Sequence, residues 1–315
     1  RKGSPSRTVC SLSLFATAMT PRRTESSVSN SSSDKADAES TIILIRHGDR
    51  FDYANPSWVD DAIQVGALPT DPPLSVLGHQ QARETAHFVA SSVVKRLDGT
   101  SMSQRSDVSI LSSPYLRVIQ TACPTSDALG APICVEEGLS EAHATPGEGV
   151  LPSAAERFAY FPQVDVSHRR LQEVFPTPGY ECPKTGHPCE AFAGHYAVRM
   201  GKMARRLEEE FRGRTVICFS HAASVALVAA LLRRSMRGLK FAPCGVYELR
   251  RVGEGPWEMA REGSSNEPYV SENSPTTYPW GFGEKHFQEG GTKTAKRYHG
   301  SSEGIGFDFF VPAEN

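Results

Sequence analysis

The stretch that decides the fold runs from residue 41 to residue 50 and reads Thr-Ile-Ile-Leu-Ile-Arg-His-Gly-Asp-Arg. Its first half is β-branched and apolar, a composition typical of a strand that is buried on both faces. Its second half is polar and contains a glycine, so the strand is predicted to end in a loop at Arg46. In an open parallel sheet, ligands bind beyond the carboxyl ends of the strands. This loop therefore marks a candidate site.

Segments typical of strands and helices alternate along the rest of the central sequence. Strands are predicted over 108–111, 132–135, 215–219 and 245–251, and helices over 74–97, 114–129, 191–211 and 221–232. This alternation predicts an α/β fold of three layers, with a mainly parallel sheet and helices on both faces. Ser75 is expected to cap the first helix. Pro114 is expected in the first turn of the second helix, and Gly130 just after its end.

The sequence outside residues 41–260 lacks this alternation. Residues 1–40 contain 11 serines and no sustained periodicity, so we predict a disordered leader. Residues 261–315 are predicted to form an irregular tail, with aromatic residues that suggest partial docking. Residues 41–260 are predicted to be one catalytic domain. Within it, residues 142–190 are rich in proline and glycine, and such an irregular insertion is more often a functional lid than a linker.

Charge and leader composition bear on localisation and partners. The net charge is −2, which argues against a dedicated nucleic-acid binder and against a polybasic membrane anchor. Residues 1–33 are basic and poor in acids, as in an organelle transit peptide. The alternative is a partial gene model in which Met19 is the true start. We expect a cytoplasmic protein, with an organelle as the alternative if the leader is a transit peptide.

A membrane span is weighed against this fold. Residues 215–232 form a stretch of 18 residues without a formal charge, close to the lower limit for a spanning helix. Ser220, His221 and Ser224 lie in its middle, where polar groups are costly in lipid. The stretch is therefore predicted to divide into a strand and a helix.

Cysteine usage argues against a disulfide scaffold and against zinc. The seven cysteines are scattered without a tight repeat. Cys182, His187 and Cys189 lie close together, but their spacing is not that of a standard zinc site and a fourth ligand is lacking. We predict no metal and no cofactor.

The residues that follow four predicted strands bring reactive groups to one rim of the sheet. The set consists of two histidines, three arginines and one glutamate: His47, His221, Arg46, Arg50, Arg117 and Glu141. Glu141 follows the third strand, and three other carboxylates near it stay open as alternatives. These are Glu136, Glu137 and Glu148.

These residue types suit the transfer of a phosphoryl group. A neutral imidazole, whose unperturbed pKa is ~6.5, can attack phosphorus and form a covalent intermediate. Arginine forks bind phosphoryl oxygens in a bidentate manner and keep their charge, and helix N-terminal amides assist. A carboxylic acid can protonate the leaving alkoxide. The sequence therefore predicts a phosphatase of the phosphomonoesterase type that needs no metal.

Several motifs together resemble those of the histidine phosphatase superfamily, which has the phosphoglycerate mutase-like fold. They are Arg46-His47-Gly48-x-Arg50, Asp71-Pro72-Pro73-Leu74-Ser75, Ser112-Ser113-Pro114-x-x-Arg117, Gly138-Leu139-x-Glu141 and Ser220-His221. The resemblance covers about residues 42–260. It implies that His47 accepts the phosphate, that Glu141 donates a proton, and that His221 shares in the reaction. It also implies a phosphate pocket formed by Arg46, Arg50, Arg117 and His221.

Within the superfamily, two features resemble the branch that includes the suppressor of T-cell receptor signalling phosphatases: the second arginine of the first motif and the Asp-Pro-Pro-Leu segment. Asp49 departs from that branch, in which glutamate is usual. The ubiquitin-binding and adaptor domains of the branch have no counterpart in this sequence, so its signalling role is not implied. The expected substrate is a phosphorylated small molecule or a phosphopeptide, and a homodimer stays open. The alternatives are a phosphoglycerate mutase-type phosphotransferase and a non-catalytic phosphate-binding adaptor.

Overall fold

A computed structural model of the chain describes residues 38–97, 108–142, 151–181, 188–190, 195–271 and 280–281. Most of the predicted leader and most of the predicted tail lie outside these ranges. Cys182 and His187 of the sequence considered for zinc also lie outside them, whereas Cys189 is buried.

Nine strands are present among the described residues. They are β1 (Glu39–Arg46), β2 (Val108–Ser112), β3 (Ile133–Val135), β4 (Val164–Asp165), β5 (Thr215–Ser220), β6 (Lys240–Phe241), β7 (Val246–Val252), β8 (Glu258–Arg261) and β9 (Trp280–Gly281). The α-helices of the same ranges are α1 (Phe51–Ala54), α2 (Trp58–Gln64), α3 (Val76–Leu97), α4 (Leu116–Leu129), α5 (Ala154–Phe158), α6 (Ala197–Glu210) and α7 (Val225–Leu231). Short 3₁₀ turns span Glu137–Leu139 and Ala222–Ser224.

Seven strands form the main sheet in the order β4-β3-β2-β5-β1-β7-β8. The first five strands of this order are parallel, and β7 and β8 add an antiparallel edge. A separate two-stranded sheet joins β6 to β9, where Phe241 is paired with Trp280 from the predicted tail. The predicted α/β fold with a mainly parallel sheet is confirmed.

The alternation of side chains along β1 defines the three layers. Ile42 and Leu44 pack in the cluster that contains α6 and α7. Ile43 and Ile45 point to the other side, into the cluster that contains residues of α3 and α4. Every residue of β1 from Ser40 onward is buried, because helices cover both faces of the sheet at its centre.

Some helix boundaries differ from the prediction. Helix α4 begins at Leu116 because Tyr115 keeps an extended backbone (φ −68°, ψ 138°), so the prediction of Pro114 in the first turn is wrong. Gly130 ends α4 in the left-handed conformation (φ 64°), as predicted. Ser75 accepts a hydrogen bond from the amide of Gly78 at 3.0 Å and so caps α3. After β5, His221 stays extended and a 3₁₀ turn precedes α7, so the helix starts later than residue 221.

The segment 142–190, predicted to be irregular, contains regular structure in its described part. Helix α5 is closed at its N-terminus by a capping box between Ser153 and Glu156. The edge strand β4 pairs with β3 in parallel. Two elements of five and two residues carry too little hydrophobic periodicity to be found from sequence.

The stretch 215–232 divides as predicted into the strand β5 and the helix α7, with a 3₁₀ turn between them. None of the helices in the described ranges is at once long enough and apolar enough to cross a bilayer.

The loop after β1 crosses the start of α3 in direct backbone contact at Gly48 and Gly78. A Cβ atom on Gly78 would lie 2.1 Å from the carbonyl oxygen of Asp49, and one on Gly48 would lie 2.7 Å from the carbonyl oxygen of Gly78. Gln81 accepts a hydrogen bond from the amide of Asp49 at 2.9 Å. The Ser75 hydroxyl donates to the Asp49 carboxylate at 2.7 Å. Helix α3 thus fixes the path of the loop that follows β1.

Replacing Gly78 with alanine is expected to lower the free energy of unfolding by about 1–3 kcal/mol, because the added methyl group overlaps the Asp49 carbonyl. The matched control is Val76→Ala in the same helix. Val76 is 88% exposed, so its truncation should change stability by less than ~0.5 kcal/mol. Urea unfolding of both variants measures the difference. Alanine favours a helix over glycine by ~1 kcal/mol, so a stabilised Gly78→Ala protein would contradict the close contact.

Candidate active site

Two histidines meet at the carboxyl ends of neighbouring parallel strands. His47 follows β1 and His221 follows β5, and the last paired residues of these strands are Arg46 and Ser220. The amide of His47 donates to the carbonyl of Ser220 at 3.0 Å, one residue beyond the strand. The two imidazole rings are consequently 5.5 Å apart between centroids, at an interplanar angle of 68°.

The protonation state of His47 follows from its surroundings. Its Nδ1 lies 2.8 Å from the carbonyl oxygen of Gly48, which can only accept, so Nδ1 carries the hydrogen. The lone pair therefore resides on Nε2. Burial lowers the pKa of His47 well below its usual 6.5, and the positive charges of Arg117 and Arg46 lower it further. His47 is consequently a neutral imidazole at pH 7.

His221 is held by contacts on both ring nitrogens. Its Nε2 lies 2.8 Å from the hydroxyl oxygen of Ser113. Its Nδ1 lies 3.3 Å from Nη2 of Arg117, which can only donate, and 3.4 Å from Oε2 of Glu141. Burial again lowers the pKa well below 6.5, followed by the charge of Arg117. A neutral His221 thus donates from Nε2 to Ser113 and accepts at Nδ1.

Three arginines surround the histidines. Burial lowers the pKa of both Arg46 and Arg117, and the charge of Arg50 lowers both further. Arg46 donates from Nη1 to the carbonyl of Phe241 at 2.6 Å. Within the described residues, Nε and Nη1 of Arg117 make no hydrogen bond, although both atoms are buried. The arrangement concentrates positive charge where an anion would be stabilised.

Arg50 has a carboxylate partner of its own. Its Nε and Nη2 donate to Asp52 at 2.9 and 2.6 Å, and its guanidinium lies 4.7 Å from the centroid of the Tyr53 ring. Burial acts against the charged form, but the hydrogen bond to Asp52 and the charges of Asp52, Tyr53 and Glu141 together outweigh it and raise the pKa of Arg50. The side chain is less buried than those of Arg46 and Arg117, so Arg50 lies at the rim of the pocket.

Asp71 and Arg157 support this pocket, and sequence reasoning gave neither of them a role. The buried Asp71 carboxylate accepts from the amide of Leu116 at 2.8 Å, forms a short ion pair with Arg157, and lies 3.7 Å from Nη1 of Arg117. Arg157 also donates to the carbonyl of Pro114 at 3.1 Å. Asp71 belongs to the Asp-Pro-Pro-Leu motif, and this motif could have identified it from the sequence. Arg157 lies in the segment predicted to be irregular, where no motif marks it.

Glu141 reaches the histidines from the end of β3. Its Oε2 is the atom that lies 3.4 Å from His221, its Oε1 accepts from the amide of Ala142 at 2.9 Å, and its side chain is 28% exposed. A carboxyl group in this position can exchange protons with both solvent and a ligand in the pocket. The structure therefore brings together all six side chains that the sequence selected: His47, His221, Arg46, Arg50, Arg117 and Glu141.

Two of the three alternative carboxylates, Glu136 and Glu137, do not share this position. Glu136 is fully buried, and its oxygens accept from the amides of Gly138, Leu171 and Gln172 at 2.7–3.0 Å. Glu137 forms an ion pair with Arg170. Glu148 lies outside the described residues. Within the part of the chain that the structure covers, no group of three or more histidine, cysteine or acidic side chains is arranged to hold a metal ion.

Fold and geometry together define a pocket of buried positive charge around a neutral histidine at the end of a central parallel strand. The sequence profile of the histidine phosphatase superfamily (branch 1) matches residues 42–262, and the chain belongs to that superfamily.

Several known proteins are similar to parts of this chain in sequence or structure. The solved ecdysone phosphate phosphatase from Bombyx mori, in complex with tungstate, is 22% identical, with 71% of this chain and 93% of that chain covered and a TM-score of 0.50. A mycobacterial glucosyl-3-phosphoglycerate phosphatase is 19% identical, with 72% and 100% covered and a TM-score of 0.42. The transcription factor tau 55 kDa subunit of Saccharomyces cerevisiae is 29% identical over 115 residues, which are 36% of this chain and 23% of that protein. The match thus spans about a quarter of that relative.

Acidification is expected to leave His47 and His221 neutral well below pH 6.5, because both pKa values are lowered in the folded protein. The unfolded chain then binds more protons than the folded chain, so these two groups make the free energy of unfolding fall as the pH drops below 6.5. The imidazole NMR signals of His47 and His221 can be assigned with the variants His47→Asn and His221→Asn. These two signals should show no titration midpoint between pH 6 and 8.

His168 provides the opposite case in the same spectrum. Cys134 and Glu136 raise the pKa of His168 to about 9, so its signal should stay at the charged limit at neutral pH. A midpoint near 6.5 for His47 or His221 would show that the pocket does not hold them neutral.

Proposed function

We propose that the chain is a phosphomonoester hydrolase that works through a phosphohistidine on His47 and needs no metal. The observation that supports this most is the neutral imidazole of His47, which carries its lone pair on Nε2 among three guanidinium groups. An anionic phosphate ester would bind to the arginines, and the neutral nucleophile would not repel it.

In the first step, Nε2 of His47 attacks phosphorus and a P–N bond forms while the P–O bond to the leaving group breaks. The electron pair of that bond stays on the leaving oxygen, and Glu141 in its acid form supplies the proton. Arg46, Arg50 and Arg117 bind the phosphoryl oxygens, whose charge must be met by fixed donors. The positive charge that develops on the His47 ring is stabilised by the hydrogen bond from Nδ1 to the Gly48 carbonyl.

In the second step, water attacks phosphorus and the P–N bond breaks, so the electron pair returns to Nε2 of His47. The Glu141 carboxylate accepts the proton of the water molecule and regains its acid form. Inorganic phosphate then leaves. The covalent intermediate divides one difficult displacement into two easier ones.

Two other functions use the same pocket. A mutase would return the phosphoryl group to a second substrate oxygen, and an adaptor would bind phosphate without reaction. The adaptor is disfavoured, because binding alone requires neither a lone pair on Nε2 nor a carboxyl group beside His221. The shared fold is common to mutases and phosphatases, so the choice between hydrolysis and the mutase rests on an assay of phosphoglycerate interconversion beside phosphate release. Metal independence, a homodimer and the narrower likeness to the suppressor of T-cell receptor signalling branch stay predictions.

His47→Ala is expected to lower turnover of nitrophenyl phosphate by more than ~10³-fold, because it removes the Nε2 lone pair that attacks phosphorus, and the unprotonated Nδ1 of His221 already accepts from Arg117. The assay contains EDTA throughout, since the proposed mechanism uses no metal. With labelled substrate, acid-quenched wild-type protein should retain an acid-labile phosphoryl group that the variant lacks. His79→Ala, which alters a histidine on α3, is the control with normal activity. Substantial residual turnover in His47→Ala would exclude His47 as the nucleophile.

Glu141→Gln keeps the shape of the side chain but removes the proton. It is expected to slow alkyl phosphates by at least ~10²-fold, because a poor leaving group needs its proton in the transition state. Nitrophenyl phosphate, whose phenolate leaves unaided, should lose much less. The measurement is the ratio of kcat/KM for the two substrates, with Glu137→Gln as control. Equal losses would assign Glu141 to binding.

Phosphoglycerate interconversion, assayed beside phosphate release, identifies the mutase alternative.

A further inference from the structure

Residues 138–141, the ribbon that ends in Glu141, are held in place through their backbone. Four successive carbonyl oxygens, those of Gly138, Leu139, Ser140 and Glu141, accept hydrogen bonds from side chains of other elements. The hydroxyl of Ser220 binds the second of them at 2.7 Å. Arg199 binds the other three, at 2.6–3.2 Å. Side-chain donors on consecutive carbonyls replace the hydrogen bonds that a strand or helix would provide there.

Arg199 is built into this position. It stands in the first turn of α6, and its side chain is only 4% exposed. Its Nε and Nη2 donate to the two carboxylate oxygens of Glu190 at 2.9 and 2.8 Å, a bidentate pair that fixes the plane of the guanidinium. Its Nη1 and Nη2 also donate to backbone carbonyls of the ribbon. All of its nitrogens are thus engaged, and none is available for a phosphate in the pocket.

We propose that Arg199, oriented by Glu190, is a positioning residue that sets the carboxyl group of Glu141 against His221. The inference rests on the proposed function, in which Glu141 transfers the proton. Arg199 touches neither the substrate pocket nor the reacting atoms, and its hydrogen bonds act on the path of residues 138–141. Its charge also lowers the pKa of His221, and a lysine at position 199 keeps that charge. Its role is therefore separate from that of Arg46, Arg50 and Arg117.

Geometry makes this role sensitive. A general acid must lie within hydrogen-bond reach of the leaving oxygen, and a displacement of ~1 Å costs up to ~10²-fold in rate. The Glu141 carboxylate contacts His221 and the amide of the next residue, Ala142. Both contacts depend on the path of the backbone at Glu141, whose carbonyl accepts from Arg199. A lysine at position 199 would keep the charge, but an ammonium group lacks the planar fork that reaches three carbonyls and a carboxylate together.

The test compares Arg199→Lys with wild type on an alkyl phosphate and on nitrophenyl phosphate. We expect kcat/KM on the alkyl phosphate to fall ~10- to 100-fold and kcat/KM on nitrophenyl phosphate to fall less than ~3-fold, because kcat/KM reports the first step, before water attacks. Inhibition by vanadate should change by less than ~2-fold, because the arginines of the phosphate pocket are unchanged. Arg251→Lys is the matched control. It alters another buried arginine, which pairs with Glu208 at 3.3 Å, and it should leave the substrate ratio as in wild type.

A double variant shows whether the two residues act together. When Glu141→Gln has already removed the proton, adding Arg199→Lys should cost less than ~3-fold on the alkyl phosphate, because positioning no longer matters. A further full loss in the double variant would mean that Arg199 acts independently of Glu141, and this would overturn the inference.

The outcomes separate this inference from the proposed function. If wild type turns over neither substrate, the proposed function is wrong and the inference falls with it. If wild type is active and Arg199→Lys lowers kcat/KM equally for both substrates, only the inference is overturned. If Arg199→Lys does not fold, Glu190→Gln replaces it, because it keeps the side-chain volume and removes one of the two oxygens that orient Arg199. The same substrate ratio then decides.

Discussion

The backbone hydrogen bond from His47 to the carbonyl of Ser220 is the interaction on which the site depends. It extends the β1–β5 ladder by one residue, into the loop. The amide of Ser113 makes the equivalent bond to the carbonyl of Phe219 at 3.0 Å, so the end of β2 is fixed in the same way. Three chain segments thus leave the sheet at one level. The positions of the two imidazoles and of the Ser113 hydroxyl follow from the sheet, and a ligand does not have to assemble them.

The pocket combines buried positive charge with incomplete compensation. Asp52 neutralises Arg50 and Asp71 lies beside Arg117, but the carboxylate of Asp71 is shared with Arg157. Burial and mutual repulsion therefore lower the pKa of Arg46 and Arg117. An arrangement of this kind is costly, and a bound dianion would offset the cost. Burial, followed by the same excess of positive charge, lowers the pKa of both histidines and keeps them neutral, which the proposed nucleophile requires.

The sequence predicted those parts of the structure whose signals are local. The β-branched run of β1, the glycine after α4 and the polar residues at the strand ends each carry their information within a few positions. The same holds for all six side chains of the pocket. Arg157, Glu190 and Arg199 could not be predicted in this way, because their roles consist of contacts with distant segments. Arg157, for example, binds Asp71 across 86 positions. The short elements α5 and β4 were missed because they have too few residues for a periodic pattern.

The place of β1 in the sheet also governs the order in which the protein can be assembled. β1 is the first element of the described chain, yet its neighbours β5 and β7 are synthesised much later. Thr41 pairs with Thr215, and Ile45 pairs with Val246. During synthesis, the apolar residues of β1 therefore remain unpaired until most of the domain has emerged. Such non-local pairing slows folding and exposes aggregation-prone segments to other chains. The strand that leads into His47 consequently stays unpaired for longer than β2 or β7, whose partners β3 and β8 follow closely in the sequence.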